Sequence, residues 1–317
     1  MTALIRLGLV GLGSMGANHL RVAQACSRCT VAQVVDVNPQ IAHASLADAS
    51  FTLTTNLDSL IDIDAAIVAT STASHVAVAS VLLGRGIPVL VEKPVAASRA
   101  EVAALVQLSR ELGTPLMCGF VERFNPVVAT CKNLIDDAIL HVRTQRQSPP
   151  ANHPSSSALW DLLIHDLDLV LGYFPTSPYD SLAAMTAPSG PMAGLEAVEA
   201  TFRIEQALVS TMCSRQWQRK VRSLQLATES TVFELDLLRQ TLTTYRNISQ
   251  EQISNGTLIY RSATTVDVPF VRHAGEPLQL QLDHFLDLVD GRIDPATERA
   301  TILPPHELAA AIEALCA

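Results

Sequence analysis

An amine at a strand end, an imidazole flanked by carboxylates, and a guanidinium beside a proline-started helix are the groups in this chain that could do chemistry. The amine is Lys93, in Glu92-Lys93-Pro94, directly after the apolar run Ile87 to Val91. Open α/β sheets bind their ligands beyond the carboxyl ends of strands. In a chain that strongly prefers arginine, a titratable ammonium there suits a reacting site, and a surface lysine fits the same spacing. The imidazole is His165, in Trp160-Asp161-Leu162-Leu163-Ile164-His165-Asp166-Leu167-Asp168. On an α-helix Asp161, His165 and Asp168 fall within about 60° of one another. Leu163, Leu167, Val170 and Leu171 then lie opposite. A carboxylate four residues before an imidazole can hold its tautomer and raise its basicity. A solvated helix face with an incidental histidine is the plainer alternative. The guanidinium is Arg123, in Gly119-Phe120-Val121-Glu122-Arg123-Phe124-Asn125-Pro126, which could meet a substrate phosphate or carboxylate, or form a structural salt bridge. Pro126 suits the first turn of a helix.

These groups need a scaffold, and the first 36 residues describe one. Ile5 to Val10 runs into Gly11-Leu12-Gly13-Ser14-Met15-Gly16, then a helical stretch from Ala17 to Ala25, then a second strand ending on Asp36. Gly11 permits the tight turn, Gly13 lets a pyrophosphate reach the backbone, and Gly16 lets helix and strand approach closely. The free N–H groups at the helix start can hold phosphates. Asp36 stands about 20 positions past Gly16, where its carboxylate can accept both adenosine ribose hydroxyls. That negative charge would repel a 2′-phosphate, so the spacing favours NAD over NADP.

Composition narrows the class. A chain of 317 residues is long enough for two cores, and 48% hydrophobic against 17% charged residues excludes general disorder. A net charge of −9 provides no basic stripe for a nucleic acid. The apolar region Ala65 to Val91 is interrupted by His75, Gly84, Arg85, Gly86 and Pro88, so no membrane span is expected. The six cysteines are scattered. Only Cys26 and Cys29 have metal or redox spacing, and without a second pair no metal site is expected. Unpaired thiols and no visible secretory signal point to the cytoplasm.

Strand and helix alternate through the first 120 residues, with strands at 4–10, 31–36, 51–53, 65–69, 87–91 and 115–118. Helices are expected at 72–83 and 98–112, the latter capped by Ser98 with Glu101. This alternation is the pattern of a parallel sheet covered on both faces. Beyond residue 121 it gives way to a polar loop over 148–157, a helix over 158–172, and period-two runs at 198–205, 207–215, 221–228, 231–238 and 241–246. Such runs form an antiparallel sheet with one packed face. Glu276 to Asp290 and Pro305 to Leu315 read as late helices. The expected architecture is α/β: a dinucleotide-binding Rossmann domain over 1–121, and over 122–317 an α+β domain with a large, open, mainly antiparallel sheet.

Together these segments resemble the Gfo/Idh/MocA family of NAD(P)-dependent sugar and inositol dehydrogenases. The resemblance spans the glycine turn, Ala69-Thr70-Ser71-Thr72-Ala73-Ser74-His75, Glu92-Lys93-Pro94, Asp161-x-x-x-His165-Asp166 and Glu276-Pro277-Leu278. It implies that Thr70, Ser71, His75, Glu92 and Lys93 join Gly11, Gly13, Ser14, Met15, Gly16 and Asp36 at the cofactor. It also implies that Lys93 and His165 meet at the substrate hydroxyl, His165 as base with Asp161 orienting it, or Lys93 as base in the reverse assignment. One departure is Ser71, where the family pattern has proline. Within the family, 119–126 most resembles the branch that oxidises the 3-hydroxyl of UDP-N-acetylglucosamine for amino-sugar biosynthesis in cell-envelope glycans or lipid A. Arg123, Asn125, Asp161 and His165 then become substrate residues, and Arg123, Arg143, Arg146 and Arg219 candidate partners of the diphosphate. An inositol or free-sugar dehydrogenase is the neighbouring reading, and a non-catalytic NAD sensor the distant one. The family habit implies a homodimer or homotetramer assembled through the second sheet.

Overall fold

The computed structural model describes residues 4–38, 51–150, 156–187, 195–254 and 257–317. Residues 151–155 of the expected polar loop lie outside that set. The chain forms two compact units: Met1–Val121 with Gly275–Ala310, and Glu122–Ala274 with Ala311–Ala317.

In the first unit, β1 (Ile5–Val10), β2 (Cys29–Val35), β3 (Thr52–Thr54), β4 (Ala65–Val68), β5 (Val89–Val91) and β6 (Leu116–Cys118) form one sheet in the order 3-2-1-4-5-6. All of its pairings are parallel. The central strands β4 and β5 are buried at every residue, hence their unbroken apolar sequences. The connecting helices are α1 (Ser14–Ala25), α2 (Thr72–Gly84) and α3 (Arg99–Leu112). Ser98 occupies the residue before α3 but makes no side-chain cap, so that expectation is corrected. The helix is closed instead by Gly113 in the left-handed conformation.

The expected domain 122–317 gives up residues 275–310 to this first unit. An ion-pair cluster explains the return. Arg28 meets Asp283, Asp287 and Asp290 at 3.6, 2.7 and 3.1 Å, tying the start of β2 to a late helix, Pro277–Val289. That helix also packs on α1.

The second unit begins with α4 (Pro126–Leu134), where Pro126 takes the first turn as expected. Then come β7 (Ile139–Gln147), a π-helical turn (Leu159–Leu163) running into α5 (Ile164–Leu171), and β8 (Tyr179–Thr186) to β14 (Thr257–Asp267). Between these lie β9 (Ala197–Ile204), β10 (Ala207–Ser214), β11 (Val221–Thr228), β12 (Val232–Asp236) and β13 (Thr241–Ser254). The eight strands run 14-13-12-11-7-10-9-8, with β7 and β10 parallel and every other pairing antiparallel. β7 escaped the sequence reading because its inward positions include Thr144 and Arg146, which hide the period-two apolar signal. The late helices are α6 (Pro277–Val289) and α7 (Pro295–Ala300), both in the first unit, and α8 (Leu303–Cys316).

Candidate active site

The glycine turn has the geometry its spacing predicts. Gly11 adopts φ +96°, and a Cβ there would lie 2.6 Å from the Ala69 carbonyl oxygen. A Cβ on Gly16 would overlap the Gly11 carbonyl, so helix and strand touch there. Gly13 differs: a Cβ would meet nothing within 4 Å, which leaves room above the turn for a ligand's phosphates. Helix α1 starts at Ser14 with no side-chain cap and no acid in its first turn. Its opening N–H groups therefore suit an anion. Asp36 follows β2, and its two oxygens accept from Leu12 N at 2.6 Å and Asn38 N at 2.7 Å. The carboxylate is thus fixed beside the turn, with lone pairs remaining for ribose hydroxyls.

At the end of β4, Thr70 and Ser71 lead into α2, and the Ser74 hydroxyl bonds Thr70 Oγ1 at 2.9 Å. Ser71, the departure from the family pattern, precedes the first residue of α2 and leaves the turn intact. His75 is not an open cofactor ligand. Its ring is buried, with Nδ1 2.9 Å from the Pro94 carbonyl and Nε2 3.1 Å from the Thr70 carbonyl. It therefore joins the β4 end to the Lys93 loop.

That loop follows β5. Glu92, expected to touch the cofactor, instead turns its buried carboxylate to His19 Nε2 at 2.7 Å and accepts the Lys93 N–H at 3.1 Å. Gly119 is needed alongside, since a Cβ there would lie 3.0 Å from the Glu92 carboxyl carbon. Val95 N donates to His306 Nε2 at 3.1 Å, and His306 Nδ1 reaches the Ile302 carbonyl at 2.7 Å. Sequence reasoning missed His19 and His306. The first carries a faint signal, a histidine on the buried face of α1 three residues past Gly16. The second carries none, because its partner is 211 positions away.

In the second unit the segment 159–171 departs from an ideal α-helix. A π turn over Leu159–Leu163 precedes α5, so constant α-helical angles do not carry from Asp161 to Asp168. π turns recur at functional sites. His165 is 9% exposed. Asp161 keeps 43% of its side-chain surface and lies 3.8 Å from Arg215, whose main partner is Glu196 at 3.0 Å. Asp168 does not share an open patch with them. It is buried and receives the Arg123 guanidinium through Nε, at 2.8 and 3.0 Å, and through Nη2.

Several expected substrate groups have partners within the protein. Arg123 is held by Asp168. Asn125 caps α4 by accepting from Val127 N at 3.3 Å, and its amide donates to Glu122 and to the Leu237 carbonyl. Arg146, offered above as a diphosphate ligand, is 1% exposed and clamped between Asp166 and Glu122. Burial would raise the Glu122 carboxyl, but the charges of Arg146 and Arg222 hold it below the ordinary range. Burial keeps Asp166 raised even beside Arg146. Arg143 lies on the open face of β7, and Arg219 is exposed between β10 and β11.

Cys26 and Cys29 are free thiols, and burial pushes Cys29 up to about 12, which makes it a poor thiolate. Among the described residues no group of three or more His, Cys, Asp or Glu side chains converges as a metal site.

Residues 5–120 match the family model of the Gfo/Idh/MocA oxidoreductases, described as having an NAD-binding Rossmann fold. The match covers the dinucleotide-binding part of the chain and likens that part to the Gfo/Idh/MocA oxidoreductases. A UDP-N-acetylglucosamine 3-dehydrogenase from Acidithiobacillus ferrooxidans is 26% identical over 243 residues, covering 76% of this chain and 77% of that protein. An inositol 2-dehydrogenase from Leifsonia xyli subsp. xyli is 30% identical over 56% of each chain. Among solved structures, the A. ferrooxidans enzyme gives a TM-score of 0.82 at 22% identity, covering 99% of both chains. A myo-inositol dehydrogenase from Corynebacterium glutamicum gives 0.78 at 20%, covering 99% of this chain and 97% of that one. At such identities the structural likeness concerns the fold. The open glycine turn, the anchored Asp36 and the uncapped α1 fit a dinucleotide, in keeping with the NAD-binding Rossmann description of the matching family model.

Proposed function

We propose that the protein is an NAD-dependent dehydrogenase that oxidises a secondary hydroxyl of a nucleotide sugar, the 3-hydroxyl of UDP-N-acetylglucosamine, to the 3-keto sugar. The observation that carries the redox part is the dinucleotide turn in the same unit as Lys93, an amine on a loop directly beyond β5. The bound nicotinamide supplies the hydride acceptor. The alcohol proton goes to His165, an imidazole able to act as a general base. Asp161 orients that ring. The Lys93 ammonium hydrogen-bonds the substrate oxygen and stabilises the developing alkoxide. Asp36 accepts the adenosine ribose hydroxyls and disfavours a 2′-phosphate, so the cofactor is NAD.

Two observations support the nucleotide-sugar choice. The segment Gly119 to Pro126 has the pattern of that branch, and alignment to the A. ferrooxidans enzyme extends over three quarters of the chain. An inositol dehydrogenase is the second reading, supported by 30% identity over a shorter stretch. Assaying NAD and NADP reduction across UDP-sugars, free sugars and inositols separates the two. Turnover with UDP-N-acetylglucosamine is the expected result, and turnover confined to inositol overturns the substrate.

The open sheet face supports self-association. Leu208, His141, Ala227, Val232, Tyr245 and Val266 form one lateral row, with Leu208 and Val266 53% and 56% exposed. A second copy of the chain would cover it as a homodimer or homotetramer, read by sedimentation. The working compartment on this reading is the cytoplasm. No helix among the described residues is long and apolar enough to cross a membrane.

A further inference from the structure

Glu92, Pro94 and Val95, the residues around Lys93, are each held by a different histidine, and the three histidines come from three different helices. His19 of α1 binds the Glu92 carboxylate at 2.7 Å. His75 of α2 meets the Pro94 carbonyl at 2.9 Å. His306 of α8 accepts the Val95 N–H at 3.1 Å. All three rings are buried, at 2%, 1% and 0% exposure. The Lys93 N–H is itself bonded to Glu92, so the backbone is restrained on both sides of the amine.

We propose that His19, His75 and His306 are positioning residues for Lys93, forming a three-point cradle that fixes the backbone from which the amine reaches the substrate. This rests on the reading of Lys93 as the group that stabilises the alkoxide. A reacting group displaced by about 1 Å can lose about a hundredfold in rate, so holding its backbone is a catalytic matter. His306 has the most determined role. An amide N–H only donates, so Nε2 must be the bare, accepting nitrogen, which leaves the proton on Nδ1 facing the Ile302 carbonyl at 2.7 Å. His75 adds a second linkage, because its other nitrogen faces the Thr70 carbonyl at 3.1 Å and so couples the Lys93 loop to the β4 end.

The test compares His306→Gln, whose amide oxygen can still accept from Val95, with His306→Leu, which leaves that buried N–H without an acceptor. Two readouts are taken. One is kcat and NAD affinity measured separately. The other needs no substrate: the rate at which trinitrobenzenesulfonate modifies Lys93 in the native protein, followed by peptide mass spectrometry with Lys132 and Lys220 as internal references. His306→Leu is expected to lower kcat by about tenfold to a hundredfold with NAD affinity unchanged. It should also change the Lys93 labelling rate several-fold relative to the other two lysines, and His306→Gln should restore both. Wild-type kcat and labelling in His306→Leu, or equal damage from both substitutions, overturns the cradle. If His306→Leu does not fold, His19→Gln against His19→Leu carries the same comparison through Glu92. Normal turnover in Lys93→Met would overturn the role of Lys93 itself, while the labelling comparison still judges the anchors.

Discussion

Arg146 donates through both Nε and Nη2 to a single oxygen of Asp166, at 2.9 and 2.7 Å, and turns its remaining nitrogen to Glu122 at 2.9 Å. The guanidinium and both carboxylates are buried, so each charge depends on the others for solvation. Removing one member leaves an uncompensated charge in the interior. Arg146→Leu is expected to cost about 3–5 kcal/mol in urea unfolding. Adding Asp166→Asn should recover much of that loss, since Glu122 keeps Arg222 at 3.1 Å and no isolated charge then remains.

The same cluster sets an acid response with opposing parts. Glu122 is held below the ordinary carboxylate range, so it contributes stability above its unfolded pKa of about 4.3 and loses it as pH falls through the lower folded value. Asp166 is raised, so the folded state takes up that proton first and this group adds stability as pH falls through its window. Melting temperatures measured on the acid side should therefore fall less steeply in Glu122→Gln than in the parent protein. An equally steep fall would remove Glu122 from the acid limb.

The sequence displays what is local and hides what is paired at long range. Gly11, Gly13, Gly16 and Asp36 are legible because one turn of backbone and its following strand bring them together. The runs that became β4 and β5 are legible because burial on both faces leaves no polar interruption. Arg146 misled because a buried guanidinium and a ligand-binding one look alike until Asp166 and Glu122 are seen around it. The Asp161–His165–Asp168 arithmetic assumed constant α-helical angles, and the π turn breaks that assumption. The return of 275–310 to the first unit is encoded in Arg28 and three aspartates more than 250 positions away, a signal that no window along the chain contains.

The catalytic assignment separates by substitution. Lys93→Met is expected to lower kcat by about 10²–10⁴ while NAD still binds, the span for losing an acid–base group. His165→Asn should fall in the same range, and Asp161→Asn less, since Asp161 acts only by orienting the ring. Steady-state kinetics with the best substrate of the sugar panel measures all three. Near-normal turnover in either of the first two removes that residue from the chemistry.

Asp36 links cofactor choice to the glycine turn. Its carboxylate already accepts from Leu12 and Asn38, and on the proposed reading it also takes the ribose hydroxyls. Hydrogen bonds to a charged group are worth about 1.5–3 kcal/mol, so Asp36→Ala should weaken NAD about tenfold to a hundredfold. NADP should lose less or gain, because the repelling charge is gone. Titration of both cofactors into parent and variant reads this directly, and a parent protein that prefers NADP contradicts the role of Asp36.

Gly13 and Gly16 separate binding from folding within one turn. Gly13 has φ −63° and ψ −169°, which alanine adopts freely, and its added methyl would meet no protein atom within 4 Å. Gly13→Ala should therefore unfold within about 0.5 kcal/mol of the parent, as surface changes usually do. Its NAD affinity should nevertheless collapse, because the methyl occupies the space through which the pyrophosphate approaches the backbone. Gly16→Ala makes the opposite prediction. Its methyl collides with the Gly11 carbonyl, and neither α1 nor β1 can retreat without opening the sheet's packing. A loss of about 1–3 kcal/mol is expected, the cost of overpacking a closed contact, with weaker NAD binding following from the displaced helix. Denaturation and NAD titration of both variants should thus give two distinct patterns: binding lost with stability kept, and both lost together. If Gly13→Ala binds NAD normally, the phosphates do not lie over this turn.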